Sequence, residues 1–334
     1  MKKIINQPRN VVEEMIEGFV FAYGDDLEKV DNHNGLVRKN RKNKVAIIIG
    51  GGSGHEPLFL GFLGDGLADG VSIGNVFAAP TPDNIQEVAL AAESGKGVLF
   101  IYGNYEGDVL NFDMGAELLE MDGIVSQTVK VNDDIASASP EQKENRRGIA
   151  GDVFVIKIAG AAAEKGLSLQ EVSQVAQKAC DNSFSIGVAL QAGTMPDTGK
   201  PNFVLKDDEI ELGMGIHGEP GMERTKMMSA DDLTDRMVNK LLTEGNIKPE
   251  EEVCVLINGL GSTTLMELLI VSKKVAKMLN ERRIKCYDLD VDSYCTTQEM
   301  AGFSITIMKL DRDLKEYYDA PANSPYYKKI KFER

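Results

Sequence analysis

Gly50-Gly-Gly-Ser-Gly-His-Glu-Pro57 and Gly213-Met-Gly-Ile-His-Gly-Glu-Pro-Gly221 each set one histidine inside a glycine-rich turn. Only three histidines occur in 334 residues, and the third, His33, lies in an ordinary polar stretch. Imidazole is the side chain whose ordinary pKa lets it serve as base, acid or nucleophile near neutrality. Flanking glycines leave the rings of His55 and His217 accessible and let backbone approach a ligand closely. A neutral imidazole presented as His217 is, between Gly215 and Gly218, can attack an electrophilic carbonyl. The turn before His55 offers the backbone N–H groups of Gly51, Gly52 and Ser53 to hydroxyl or carbonyl oxygens. Either histidine taken singly reads equally well as a solvated turn residue. The shared wording of the two turns is what favours chemistry.

Asn104-Tyr-Glu-Gly-Asp108 follows an apolar strand directly. Ligands of parallel α/β sheets gather at the carboxyl ends of strands, so Asp108 and His55 are expected on one rim, sharing acid/base work. The competing reading is that Asp108 is the N-cap of the next helix. The Gly50–Gly54 turn does not fit G-x-G-x-x-G, with Pro57 where the helix should be running, and G-x-x-x-x-G-K-[S/T] is absent from the chain, so no Walker-type nucleotide site is visible. Arg146-Arg147 reads as a structural or interface pair, since no second basic cluster accompanies it.

The elements that must carry these turns alternate. Lys44–Ile49 and Gly97–Tyr102 are short β-branched or apolar runs ending in glycine, and read as buried strands. Asp83–Ser94 between them has a helical apolar face of Ile85, Val88, Ala89 and Ala92. Ile124–Val131 is a further strand, and residues 152–180 hold two helices around Gly166. Ser185–Leu190, Val253–Ile257, Ile284–Leu289 and Phe303–Met308 are later strands, with a helix over Thr264–Asn280. The expected class is α/β: two α/β domains, mostly parallel sheets with crossover helices. The boundary is placed near Asn182, giving domains 1–182 and 183–334, the second carrying His217.

Hydrophobic residues are 43% and charged residues 27%, enough for a substantial core. The net charge of −15 argues against direct nucleic-acid binding, which needs a basic face. Cys180, Cys254, Cys286 and Cys295 show no C-x-x-C spacing, so no metal site is indicated. The first residues lack a signal-peptide stretch, and no apolar run approaches the ~20 residues of a membrane span. A soluble cytoplasmic protein without membrane association is the expectation.

Taken together these residues resemble the substrate-binding subunit of dihydroxyacetone kinase, over essentially the whole chain. The resemblance rests on Gly50–Pro57, Phe77–Pro82, Asn104-Tyr-x-Gly-Asp108, Arg146-Arg-Gly148, Gly215–Pro220, Tyr294-Cys-Thr296 and Gly302–Thr306. It implies that His217 adds to the ketone of dihydroxyacetone and holds it as a hemiaminal. It implies that His55 and Asp108 handle the substrate's hydroxyls, with backbone of the Gly51-Gly52 turn in contact. It also implies a homodimer and no cofactor in this chain, with nucleotide and magnesium on a separate kinase subunit. That subunit's nucleotide is re-phosphorylated from phosphoenolpyruvate.

Two positions depart from the family pattern. Gly103 stands where a lysine is expected at the substrate, and Glu106 adds negative charge close by. Ala79 stands where a serine is expected. A lost donor in a buried polar site costs roughly 1–3 kcal/mol. Phosphoryl transfer also draws on cationic groups. The reading put first is therefore a dihydroxyacetone sensor, a co-activator paralogue that passes occupancy to a transcription regulator. The alternative is the working kinase subunit, whose nucleotide-carrying partner supplies the cations.

Overall fold

The computed structural model describes residues 2–330. In chain order the elements are α1 (Val11–Tyr23), β1 (Leu27–Lys29), β2 (Gly35–Arg38), β3 (Ala46–Ser53), β4 (Gly70–Val76), α2 (Pro82–Ala92), β5 (Val98–Gly103), α3 (Glu106–Met121) and β6 (Ser126–Val131). There follow α4 (Asp152–Glu164), α5 (Leu169–Asp181), β7 (Ser183–Gln191), β8 (Glu209–Leu212), β9 (Glu223–Lys226), α6 (Ala230–Glu244), β10 (Glu252–Gly259), α7 (Leu265–Glu281), β11 (Lys285–Asp292), β12 (Ala301–Leu310), α8 (Arg312–Asp319), β13 (Ala322–Asn323) and β14 (Lys328–Lys329). The chain has two α/β domains, as the sequence leads one to expect, and their sheets mix parallel and antiparallel strands.

Unit 1 takes the chain up to Val131, then Val155–Lys178, then the chain from Leu314 onward. Its sheet has the order β1-β2-β4-β3-β5-β6. β4, β3, β5 and β6 are parallel, and β1 and β2 extend the edge antiparallel. The crossovers α2 and α3 bury Ile85, Val88, Phe112 and Leu119 against Ile48, Val98, Phe100 and Tyr102. β3 is buried along its whole length, the condition of an interior parallel strand, and its Ala-Ile-Ile-Ile run meets that condition.

Unit 2 takes Asn132–Phe154 and Ala179–Asp313. Its sheet runs β11-β10-β12-β7-β8-β9. Here only β10 and β11 are parallel. β12 pairs antiparallel with both β10 and β7, and β8 and β9 follow antiparallel. No helix intervenes between β11 and β12, so the chain reverses there instead of crossing over. α6 and α7 cover the sheet with Leu233, Met237, Leu241, Leu268, Val271 and Val275.

Two contiguous domains meeting at residue 182 are thus replaced by two discontinuous units. The chain passes between them after Val131, Phe154, Lys178 and Asp313, and only the third crossing lies near the expected boundary. The extra crossings arise because later segments complete unit 1. Lys157 Nζ donates to Tyr317 O at 2.6 Å, and Ser324 Oγ donates to Gly61 O at 2.6 Å. The β13–β14 pair docks the tail through buried Tyr327. Among the described residues no helix is long and apolar enough to cross a membrane.

Candidate functional site

In unit 1, β3, β4 and β5 end side by side, and the three loops that leave them carry the residues singled out above. β3 runs through Gly51, Gly52 and Ser53 into His55. A Cβ on Gly52 would stand 2.7 Å from Ala78 N, so only glycine lets this strand end lie against the loop that leaves β4. That loop carries Phe77, at φ +55, whose N–H donates to Ser53 O at 2.9 Å. The His55 ring faces the Phe77 ring at a centroid distance of 5.1 Å. His55 is only 2% exposed, which disposes of the solvated-turn reading for this residue. Glu56 accepts from Gly54 N with both carboxylate oxygens, at 3.0 and 3.1 Å, and so closes the turn. Burial raises its carboxyl above the ordinary value, and the N–H bonds only partly offset this. Ser53 Oγ is buried without a hydrogen-bond partner among the described residues.

β5 ends at Gly103, and α3 begins three residues later. The N-cap of α3 is Tyr105, so the N-cap reading of Asp108 does not hold. Asp108 sits instead in the first helical turn, 8% exposed, where the helix dipole favours a carboxylate. Ala79 belongs to the same corner: a Cβ on Gly107 would lie 3.6 Å from the Ala79 Cβ. Asn111 of α3 ties the corner together by donating to Pro80 O at 2.8 Å. Unit 1 therefore gathers His55, Ala79, Gly103 and Asp108 on one rim. His33 stays outside it, its Nδ1 on Asp31 O.

His217 belongs to unit 2, in the turn between β8 and β9. Gly218 N donates to Gly215 O, and Gly215 N donates to Glu219 O, which folds the turn back on itself. Glu219 then grips the histidine twice. Its Oε1 lies 3.0 Å from His217 Nδ1, and its Oε2 accepts from His217 N at 3.0 Å. Burial alone would raise the Glu219 carboxyl. The hydrogen bond from His217, with the Arg147 charge nearby, outweighs burial and holds it at about 2. An ionised carboxylate can only accept, so Nδ1 carries the ring proton and the lone pair resides on Nε2. The geometry thus sets up Nε2 as a nucleophile. Glu219 is the residue that sequence reasoning passed over. Its signal was its place two residues after His217 and directly before Pro220, where a tight turn brings it back onto the ring.

Arg146 and Arg147 part company. Arg146 is buried and pairs with Glu244 at 3.0 Å, a structural role. Arg147 reaches the histidine turn.

The Dak1 domain matches residues 17–326. The chain belongs to the Dak1 family. Within it, the chain is 45% identical over 331 residues to the dihydroxyacetone-binding subunit DhaK of a PTS-dependent dihydroxyacetone kinase 2 from Listeria innocua, covering 98% of this chain and 99% of that protein. It is 41% identical to a D-erythrulose kinase of Mycolicibacterium smegmatis, covering 98% of this chain but only 57% of that longer protein. Among solved Dak1 structures, the dihydroxyacetone kinase operon co-activator Dha-DhaQ superposes with a TM-score of 0.90 at 32% identity, over 95% of this chain and 98% of that one.

Proposed function

We propose that this chain binds a short hydroxyketone, dihydroxyacetone first, as a hemiaminal on His217. The observation that carries the proposal is the Glu219 carboxylate on His217 Nδ1, which places the nucleophilic lone pair on Nε2. Nε2 attacks the carbonyl carbon, a C–N bond forms, and the carbonyl π pair moves onto oxygen. The oxygen takes up a proton from water, and the Nδ1 proton leaves through Glu219 to water, so the protons balance and the adduct is neutral overall. His55 and Asp108 serve the substrate's hydroxyls, with the end of β3 at Gly51, Gly52 and Ser53 as the backbone contact. Glycerol has no carbonyl and is excluded by the chemistry of the step.

The bound ketone has two possible uses. The 45% identity to a kinase subunit along nearly the whole of both chains favours delivery of the ketone to a separate subunit that brings nucleotide and magnesium. Gly103 and Ala79 favour the other use, a sensor that reports occupancy to a transcription regulator, as the co-activator relative is named for. In either role a homodimer is proposed. A side-chain-free Gly103 on the rim, with the D-erythrulose kinase among the relatives, makes a four-carbon ketose the second ligand to test.

Intact-mass measurement after incubation with dihydroxyacetone tests the binding. A mass increase of one ketone, lost in His217→Ala, is expected. An adduct that survives His217→Ala, or no adduct in the unaltered chain, sinks the assignment. Dihydroxyacetone phosphate formation, with a nucleotide-carrying kinase subunit and a regenerating phosphate donor, then separates the two uses. Turnover means a kinase subunit; an adduct without turnover means a sensor.

A further inference from the structure

We propose that Arg147, seated on Asp134, is a positioning residue that holds Glu219 in the rotamer from which its carboxylate takes the Nδ1–H of His217. The inference rests on the hemiaminal reading above and concerns what keeps that histidine armed.

Glu219 has a long side chain, 31% exposed, and within its own turn its oxygens are held by His217 and by its own backbone N–H. An aligned pair needs a third group, or the ring and the carboxylate simply move together. Arg147 has the required fixity. Its Nε and Nη2 both donate to Asp134 Oδ2, at 3.1 and 2.8 Å, and Nη2 also donates to Gly213 O at 3.1 Å. Asp134 is itself 1% exposed and pinned through Oδ1 by Ala136 N at 3.0 Å. One side of the guanidinium is thereby consumed, and its planar fork leaves Nη1 directed at Glu219 Oε2, 3.9 Å away. At that separation the pull is Coulombic, which steers the carboxylate without Arg147 competing with His217 Nδ1–H as its donor.

The backbone leaves room for this approach. A Cβ on Gly215 would fall 2.2 Å from Glu219 Oε2 and 2.5 Å from Arg147 Nη1. The chain thus keeps a glycine at the one point where the two side chains approach each other. The titratable and charged groups facing the relay are His217 and Arg147 at Glu219, and Arg147 and Asp133 at Asp134. Burial, aided by Asp133 and opposed by Arg147, pushes the Asp134 carboxyl up to about 6, so this anchor is the first part of the relay to loosen on mild acidification.

The test is the tautomer of His217, read by ring 15N chemical shifts in the full chain without ligand, in the unaltered protein and in Arg147→Met, Arg147→Lys and Asp134→Asn. The unaltered ring should show the Nδ1–H form. Arg147→Met should give a mixture of tautomers and weaken ketone adduct formation about tenfold, the lower end of what loss of an orienting partner costs a metal-bound imidazole. Arg147→Lys should recover part of both. If Arg147→Met does not fold, Asp134→Asn, which keeps volume and loosens the anchor, should move the shifts in the same direction. A tautomer and an adduct curve unchanged in folded Arg147→Met or Asp134→Asn overturn the proposal. The shift measurement needs no ketone, so it still judges Arg147 even if the unaltered chain forms no adduct and the hemiaminal reading itself falls.

Discussion

At the scale of single residues, the chemistry divides into what a histidine can do and what its neighbour makes it do. His217 was visible from its glycines, but its tautomer is decided by Glu219, and a hydrogen bond between residues two apart depends on a turn geometry that spacing alone does not state. His55 was legible as a candidate, and its near-complete burial against Phe77 was not. Asp108 shows how a candidate residue can carry a wrong local reading: Tyr105 caps α3, and Asp108 lies inside the first turn. Gly103 is the residue on which the proposed choice between kinase subunit and sensor rests. Gly103→Lys returns a cation to the end of β5, and dihydroxyacetone phosphate formation should rise by on the order of tenfold or more. A turnover unchanged in that variant would mean that Gly103 is not what limits transfer.

At the scale of elements, the parts read correctly were those whose pattern is local. β3, β5, β10 and β12 announce themselves as apolar runs, and α7 as a helix opening at Thr264, which forms a capping box with Glu267. β4 was missed because Gly70-Val-Ser-Ile-Gly-Asn-Val76 has neither an apolar run nor clean alternation. Yet it is the neighbour of β3, and its loop supplies Phe77 and Ala79. Glycines in these strands answer to neighbours, not to turns. Gly52→Ala would drive a methyl into the backbone at Ala78, so destabilisation of about 1–3 kcal/mol is expected. Urea unfolding measures it, and adduct formation should weaken in parallel as the rim shifts.

At the scale of the whole molecule, the sequence offered no sign that the chain enters unit 1 three times, because a crossing leaves no compositional mark. One consequence sits at Lys157, fully buried in apolar α4 with its amine on Tyr317 O. Burial, with help from Lys329 and against Asp319, pushes its pKa down to about 7. The unfolded chain holds that proton up to the ordinary value of 10.5, so between about 7 and 10.5 the unfolded state binds more protons and folding stability rises with pH. Below 7 the penalty of a buried charge is present in full. Lys157→Met should remove this rise, worth on the order of a few kcal/mol, and unfolding midpoints compared at pH 7 and pH 10 would register it.

The two histidine turns share a further property, which belongs to time. Glu56 and Glu219 each latch one backbone amide, Gly54 N in the first turn and His217 N in the second. Their carboxyls are shifted in opposite directions, Glu56 upward and Glu219 down to about 2. A protonated carboxyl is a poorer acceptor, so acid undoes the latches in sequence. In amide hydrogen exchange followed down a pH series, Gly54 should lose its protection first, while His217 keeps its own until near pH 2. Simultaneous loss would mean that the latches are not independent. Ordered loss would give each turn its own clock, readable without any ligand.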